Sequence, residues 1–291
     1  LANKHDPATV APPNMTAAAP TLGDRVAALD WYHVLELPGG VVTRGHFDAR
    51  PIVSKVPLPT SLAGKRCLDV GTWDGFWAFE MERRGAAEVV AIDLREPAQW
   101  DWPASGDAAA QRAQQDYLGK VKAESEGFRL AREALSSNVD RREVSIYDLS
   151  PEIVGEFDFV FLGSLLMHLR DPVGALMALR SVCTGEAVIA EGVEAIPSWT
   201  HRKTPTARLE GDSEPWWWQP NKAGLHRMVY AAGFEILEST GVYFLPTGPA
   251  HPKPPVSTEM LRSALSQRGR ERLLIRFLGV PHAAVRVRPA R

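Results

Sequence analysis

The stretch from Cys67 to Leu94 constrains the chain more than any other. CLDVG (67–71) is a short apolar run that ends in glycine. Residues 76–84 follow, with Phe76, Ala78, Phe79 and Met81 as the apolar side of a helix that Gly85 stops. EVVAIDL (88–94) is a second apolar run with an acid near its end. A strand, a glycine loop, a helix and a second strand within 28 residues make a βαβ unit, whose strands are parallel and whose crossover is right-handed.

The pattern continues. EVSIYDL (143–149), FDFVFLG (157–163), EAVIAEG (186–192), FEILESTGVYF (234–244) and HAAVRVRP (282–289) read as strands. DPVGALMALRSV (171–182) and KAGLHRMVYAAG (222–233) read as helices between them. Alternation of this kind predicts an open α/β fold. Asp24 is placed to cap a helix over 25–31, so 23–64 is expected to form a helical cover. The Ala- and Pro-rich residues 1–22 are expected to be a loose arm, because no basic segment precedes an apolar one there. Residues 65–291 then form the main domain, with insertions at about 95–142 and 193–221; an extra surface helix is expected over 108–138.

Charge and cysteine content exclude several classes. Lys plus Arg number 33 against 35 acids, so the whole molecule makes no demand for an anionic partner. Two cysteines, Cys67 and Cys183, cannot form a disulfide framework and fit a reducing, cytoplasmic compartment. No apolar run approaches the ~18 residues that span a bilayer, so no membrane association is expected. Residues 242–291 carry nine Lys or Arg against Glu259 and Glu271. A basic helix at about 256–278 would present Arg262, Arg268, Arg272 and Arg276, either to RNA phosphates or to solvent and the acidic remainder.

Ligands of open α/β sheets sit outside the carboxyl ends of the strands. The loop DVGTWDG (69–75) lies there, and Gly71 and Gly75 allow close backbone approach and positive φ. Asp93 ends the next strand 24 residues after Asp69, where a carboxylate can accept both ribose hydroxyls of an adenosine. The loop lacks the G-x-G-x-x-G spacing of a pyrophosphate site, and Asp69 would repel phosphates. Asp69 suits the ammonium of a methionine moiety, which favours S-adenosylmethionine over a nicotinamide dinucleotide.

With these residues the chain resembles the class I S-adenosylmethionine methyltransferases over roughly 65–192, with Trp73 standing where their loop has its middle glycine. A narrower resemblance runs through WYHVLELPGGVVTRGHFD, LAGKRCLDVGTWDGFWAFEMERRGA, FDFVFLGSLLMHLRDPVGAL and WWWQPNKAGLHRMVYAAGF. These look like the branch related to tRNA wobble-uridine carboxymethyltransferases. The resemblance implies a Rossmann-like class I fold, a mostly parallel seven-stranded sheet with helices on both faces. It also implies S-adenosylmethionine as donor, with S-adenosylhomocysteine as product and no metal. By position it puts Gly71, Thr72, Trp73 and Gly75 around the methionine portion. Asp93 and Leu94 fall at the ribose, Ile146, Tyr147 and Asp148 at the adenine, and Gly163 and Met167 after the fourth strand. Phe47 and Arg50 would close over the methionine end. Carboxymethyl transfer needs a lysine and a tyrosine where this chain has the uncharged LPGG (37–40) and Met167, so plain methyl transfer is expected.

A base is needed where the acceptor must lose a proton, and His168, Glu191 and His33 are the candidates, with Glu194 considered beside them. Each has a structural alternative: a hydrogen-bonded histidine, a backbone cap, a packed helix end. Trp216, Trp217, Trp218 and Arg202 are expected to wall the acceptor site, aromatic rings suiting a planar acceptor. The expected activity is methyl transfer to O or N of a small molecule. The alternatives are tRNA modification and a non-catalytic nucleotide-binding domain.

Overall fold

The computed structural model describes residues 19–104, 107–122, 125–211, 215–252, 257–263 and 265–290. The expected loose arm falls outside these residues as far as residue 18, and so do 253–256 and 264 of the basic segment.

Eight strands form the central sheet: β1 Arg66–Val70, β2 Glu88–Ile92, β3 Asp140–Arg142, β4 Phe157–Gly163, β5 Cys183–Gly192, β6 Phe234–Ser239, β7 Tyr243–Leu245 and β8 Val280–Pro289. Seven lie in the order β6-β8-β5-β4-β1-β2-β3, and β7 pairs with the start of β8. The pairs among β1 to β5 are parallel, and β8 runs antiparallel to β5, β6 and β7. This is the expected mostly parallel sheet with helices on both faces, with eight strands in place of the expected seven. Its order reverses between β1 and β4, the place where such sheets open a crevice.

Both faces are covered, so the strands are apolar on both sides. Cys67, Phe159, Phe161, Ala190 and Ala284 pack on one face against Trp31, Leu62, Phe79, Met81 and Phe128. Leu68, Val70, Val160, Leu162 and Ile189 pack on the other against Leu176, Leu179, Leu225 and Val229. Burial of each Val, Leu, Ile, Phe or Met side chain among them stabilises the fold by about 1.5–3 kcal/mol.

Four further expectations need correction. The strand expected over 143–149 lies earlier, at Asp140–Arg142, and Ile146–Asp148 is a 3-10 turn that Ser145 caps by accepting the Tyr147 N–H. The strand expected over 234–244 is broken at 240–242, because the Thr240 hydroxyl accepts the Ala284 N–H and takes a ladder position from the backbone. The 23–64 cover is not helical beyond Leu22–Ala27; short strands and 3-10 turns follow. The basic helix is two, Thr258–Ser263 and Gln267–Leu278, the second capped by Ser266, which accepts the Gly269 N–H. The 108–138 insertion is helical as expected, in Ala108–Lys122 and Glu126–Ala134.

Candidate active site

At the reversal point a cavity of about 330 Å³ opens at the carboxyl ends of β1, β2 and β4, and its lining is mostly apolar. The size lies at the lower end of the range for small-molecule sites.

The 71–75 turn forms one wall. Gly71 and Gly75 have φ of 77° and 94°, and a Cβ on Gly75 would stand 2.5 Å from the Phe79 ring. Trp73 is also left-handed, with φ of 48°. This costly conformation for an indole residue is held by an acceptor: the Trp73 N–H donates to Asp93 Oδ2 at 2.8 Å. Its ring stacks on Tyr32 at 4.7 Å. The indole therefore lines the crevice and leaves the cavity beside it.

Two acids dominate the wall. Burial pushes the Asp69 carboxyl up to about 7, and its Oδ2 has no hydrogen-bond partner. An orphaned buried carboxylate oxygen beside a cavity awaits a donor. Asp93 accepts from Trp73 through one oxygen and from Lys122 Nζ, at 2.7 Å, through the other.

Two imidazoles face the same space. The His33 Nδ1 donates to Asp74 Oδ1, while Asp74 Oδ2 accepts the Tyr32 and His33 backbone N–H groups at 2.9 Å each. Asp74 thus fixes the ring, and Nε2 is left for the cavity. The His168 Nδ1 donates to the Pro215 carbonyl at 2.8 Å, and burial lowers its pKa. Deeper, the Ser164 hydroxyl donates to His282 Nε2 at 2.9 Å, and burial holds His282 neutral by lowering its pKa to about 4.

The two insertions form the roof. Trp100, Gln114, Leu118 and Lys122 come from the first, Pro215 and Trp216 from the second. Asp101 joins them: its Oδ2 accepts from Tyr147 Oη at 2.6 Å and Arg170 N at 2.7 Å, and its carbonyl accepts from Trp217 Nε1 at 2.6 Å.

No family model matches. A ubiquinone biosynthesis O-methyltransferase of Acinetobacter baumannii is 27% identical over 145 residues, 47% of this chain and 50% of the relative. A tRNA U34 carboxymethyltransferase of Pseudomonas syringae is 25% identical over 181 residues, 62% of this chain and 49% of that one. Over these stretches the chain is similar to methyltransferases. It spans about half the length of the curated relatives it matches. Among solved structures, a Burkholderia thailandensis 1,6-didemethyltoxoflavin-N1-methyltransferase with bound S-adenosylhomocysteine is 14% identical, with a TM-score of 0.42, over 79% of this chain and 72% of that one.

Of the residues expected at the site, the fold brings His33, His168, Asp69, Gly71 and Trp73 to the cavity. It brings Asp93, Leu94, Ile146, Tyr147, Gly163 and Trp216 there too. Others lie outside the lining. Glu191 points to the opposite face of the sheet, where its Oε1 accepts the Leu165 N–H at 2.9 Å; burial pushes its carboxyl up to about 7. It shapes the turn after β4 as a backbone cap. Glu194 is held by Arg208 at 2.9 Å. Met167 packs with Glu191, Trp218 and Leu225 around a separate small void. Arg50, expected to close over the methionine end, is instead bonded to Asp48 at 2.7 Å and Glu36 at 2.6 Å. Phe47 stands one layer back, against Tyr32. Thr72 and Gly75 are buried behind the turn, while Asp148 and Arg202 are exposed to solvent. Trp217 and Trp218 donate to the Asp101 and Arg170 carbonyls and so brace the roof from outside.

Sequence reading missed Asp74, Tyr32, Lys122, Asp101, Ser164 and His282. Asp74 sits inside the quoted DVGTWDG motif, but its partner is 41 residues upstream. No local pattern joins them. Among the described residues no group of three or more His, Cys, Asp or Glu could hold a metal ion, and no helix is long and apolar enough to cross a membrane.

Proposed function

We propose that the protein is an S-adenosylmethionine-dependent methyltransferase acting on an oxygen or nitrogen of a small planar acceptor. The observation that carries this reading is the pair of acids at the ends of adjacent parallel strands: Asp69, with its unpartnered buried oxygen, and Asp93, both on the cavity beside the Gly71–Gly75 turn. Asp69 suits an ammonium, Asp93 a ribose diol, and Leu94 and Ile146 the faces of a nucleobase. The sequence relationship to methyltransferases supports the same assignment.

Bound S-adenosylmethionine supplies a methyl group on a positively charged sulfur, so positioning accounts for much of the catalysis. Trp216 offers a flat apolar wall to a planar acceptor, and Trp73 and Trp100 exclude water at the ribose end beside Asp93. His33 Nε2 takes the proton that an acceptor hydroxyl or amine must lose, and Asp74 stabilises the resulting imidazolium at Nδ1. His168 lacks a carboxylate partner and is the weaker base.

Of the arginines offered to RNA phosphates, Arg268 is paired with Glu210 at 2.9 Å and Arg276 Nε is buried, while Arg262 and Arg272 are exposed. Ordinary methyl transfer is favoured over carboxymethyl transfer by the uncharged 37–40 segment and by Met167, which lies outside the cavity.

Thermal denaturation with S-adenosylhomocysteine tests the reading. At about a hundred times its Kd it stabilises the native state by about 2.7 kcal/mol, a rise of a few degrees. A rise with NAD and none with S-adenosylhomocysteine would overturn the assignment.

A further inference from the structure

The residue that occupies the ribose acid is the chain's own Lys122. Its ammonium donates to Asp93 Oδ1 at 2.7 Å and to the Leu94 carbonyl. It lies 4.9 Å from the Trp73 ring centroid and 5.1 Å from that of Trp100. The lysine side chain is only 2% exposed. A carboxylate, a carbonyl and two indole faces thus surround one cation at the place the reading above gives to a ribose.

The helix that delivers this lysine is weakly held. Of Ala108–Lys122, only Val121 and Lys122 are buried. Tyr117 is 53% exposed. Few apolar contacts and one buried ionic anchor describe an element of low local stability. The anchor itself is a buried pair, whose net stabilisation is small once desolvation is counted but whose loss leaves an uncompensated charge. Such an anchor can be exchanged for a ligand that brings its own hydrogen-bond donors to Asp93.

We infer that Lys122 is a latch: its ammonium on Asp93 holds the Ala108–Lys122 helix closed over the nucleoside end of the cavity, and a ribose diol binds by displacing it. The inference rests on the donor assignment above. It adds that donor binding and movement of this helix are one coupled event, so closure of the helix lowers the apparent donor affinity by the fraction of molecules that are latched.

The test uses the full chain, Lys122→Met, and S-adenosylhomocysteine as the probe. Methionine keeps an unbranched side chain between the two indoles and removes the ammonium. Brief trypsin digestion, followed by mass spectrometry of cleavage after Arg112 and Lys120, reports release of the helix. Without ligand, Lys122→Met is cut there several-fold faster than the wild type, with matching circular dichroism showing that both are folded. Calorimetry gives the variant an affinity for S-adenosylhomocysteine about tenfold higher. In the wild type, which needs no substitution, S-adenosylhomocysteine accelerates the same cuts. Should the variant not fold, this wild-type measurement decides alone. Protection of the helix by ligand, equal cleavage of the two proteins, or weaker binding by Lys122→Met would overturn the latch, the last by showing that Lys122 itself holds the nucleoside. Absence of binding to either protein would overturn the donor assignment, and with it the ligand of the latch, whereas faster cleavage of the variant would still report the closure.

Discussion

The floor and the roof of the cavity are built on different terms. The floor rises from β1, β2 and β4, strands buried on both faces, with His33 added from the N-terminal cover; backbone N–H groups fix Asp74 and Asp93, and Asp74 fixes His33. The roof comes from two insertions, held largely by scattered contacts: Asp101 to Tyr147, Arg170 and Trp217, Lys122 to Asp93, and the Trp217 N–H to the Met167 carbonyl. Groups that must hold a reacting atom within a fraction of an ångström belong on rigid elements, whereas groups that admit ligands must yield. Chemistry is thus assigned to the floor and access to the roof.

The sharpest way to break this division is at the base. His33→Ala is expected to lower kcat by about 10²- to 10⁴-fold, with Asp74→Asn close behind and donor binding retained in both. A larger loss from His168→Ala, in steady-state assays once an acceptor is known, would move the chemistry to the edge of the roof.

Asp69 comes next. Asp69→Asn removes the charge expected to meet an ammonium and should weaken S-adenosylhomocysteine binding about 30-fold or more, read by calorimetry. The pH dependence carries its own sign. The carboxyl is raised in the fold from an ordinary 3.8 to about 7, so the native state holds the proton more tightly than the unfolded chain. That contribution to stability is complete below about 4 and is lost as pH rises toward 7. Glu191 acts in the same direction over a similar window. His282 acts oppositely: depressed from 6.5 to about 4, it contributes stability above 6.5 that is lost as pH falls through 4. Melting curves of Asp69→Asn should therefore decline less between pH 4 and 7 than those of the wild type; superimposable pH profiles would show that Asp69 is not the buried acid described here.

Roof substitutions should act more mildly. Asp101→Ala is expected to cost about 1–3 kcal/mol in urea denaturation and to raise acceptor KM more than it lowers kcat, because it unties the insertions without touching the floor. The smallest effect belongs to the surface. Arg268→Ala breaks an exposed pair with Glu210 and should change stability by less than about 1 kcal/mol.

How far the sequence could be read follows the same division. Four of the five parallel strands are legible because an apolar run buried on both faces leaves a clear local signal, as in Phe157–Gly163 and Cys183–Gly192, whereas the charged Asp140–Arg142 leaves none. Asp69, Gly71 and Asp93 were legible because the βαβ unit fixes their places over a short span. Two elements went wrong where a polar side chain intervened: Thr240 breaks a strand by joining its ladder, and Ser145 turns the chain after β3 into a capped 3-10 turn. Arg50 was legible as a cation near the site, but its neutralisation by Asp48 and Glu36 depends on a packing that spacing does not encode.

The sequence by itself determined the doubly wound sheet, the glycine turn and the acids at the strand ends, since each rests on periodicity or on spacing within a few dozen residues. Only the tertiary structure decided which groups face one another across the cavity. His33 meets Asp74 across 41 residues, Lys122 reaches Asp93 across 29, and Trp217 closes on Asp101 across 116. Hydrogen bonds and ion pairs act over a few ångströms of space, and distance along the chain carries no record of them.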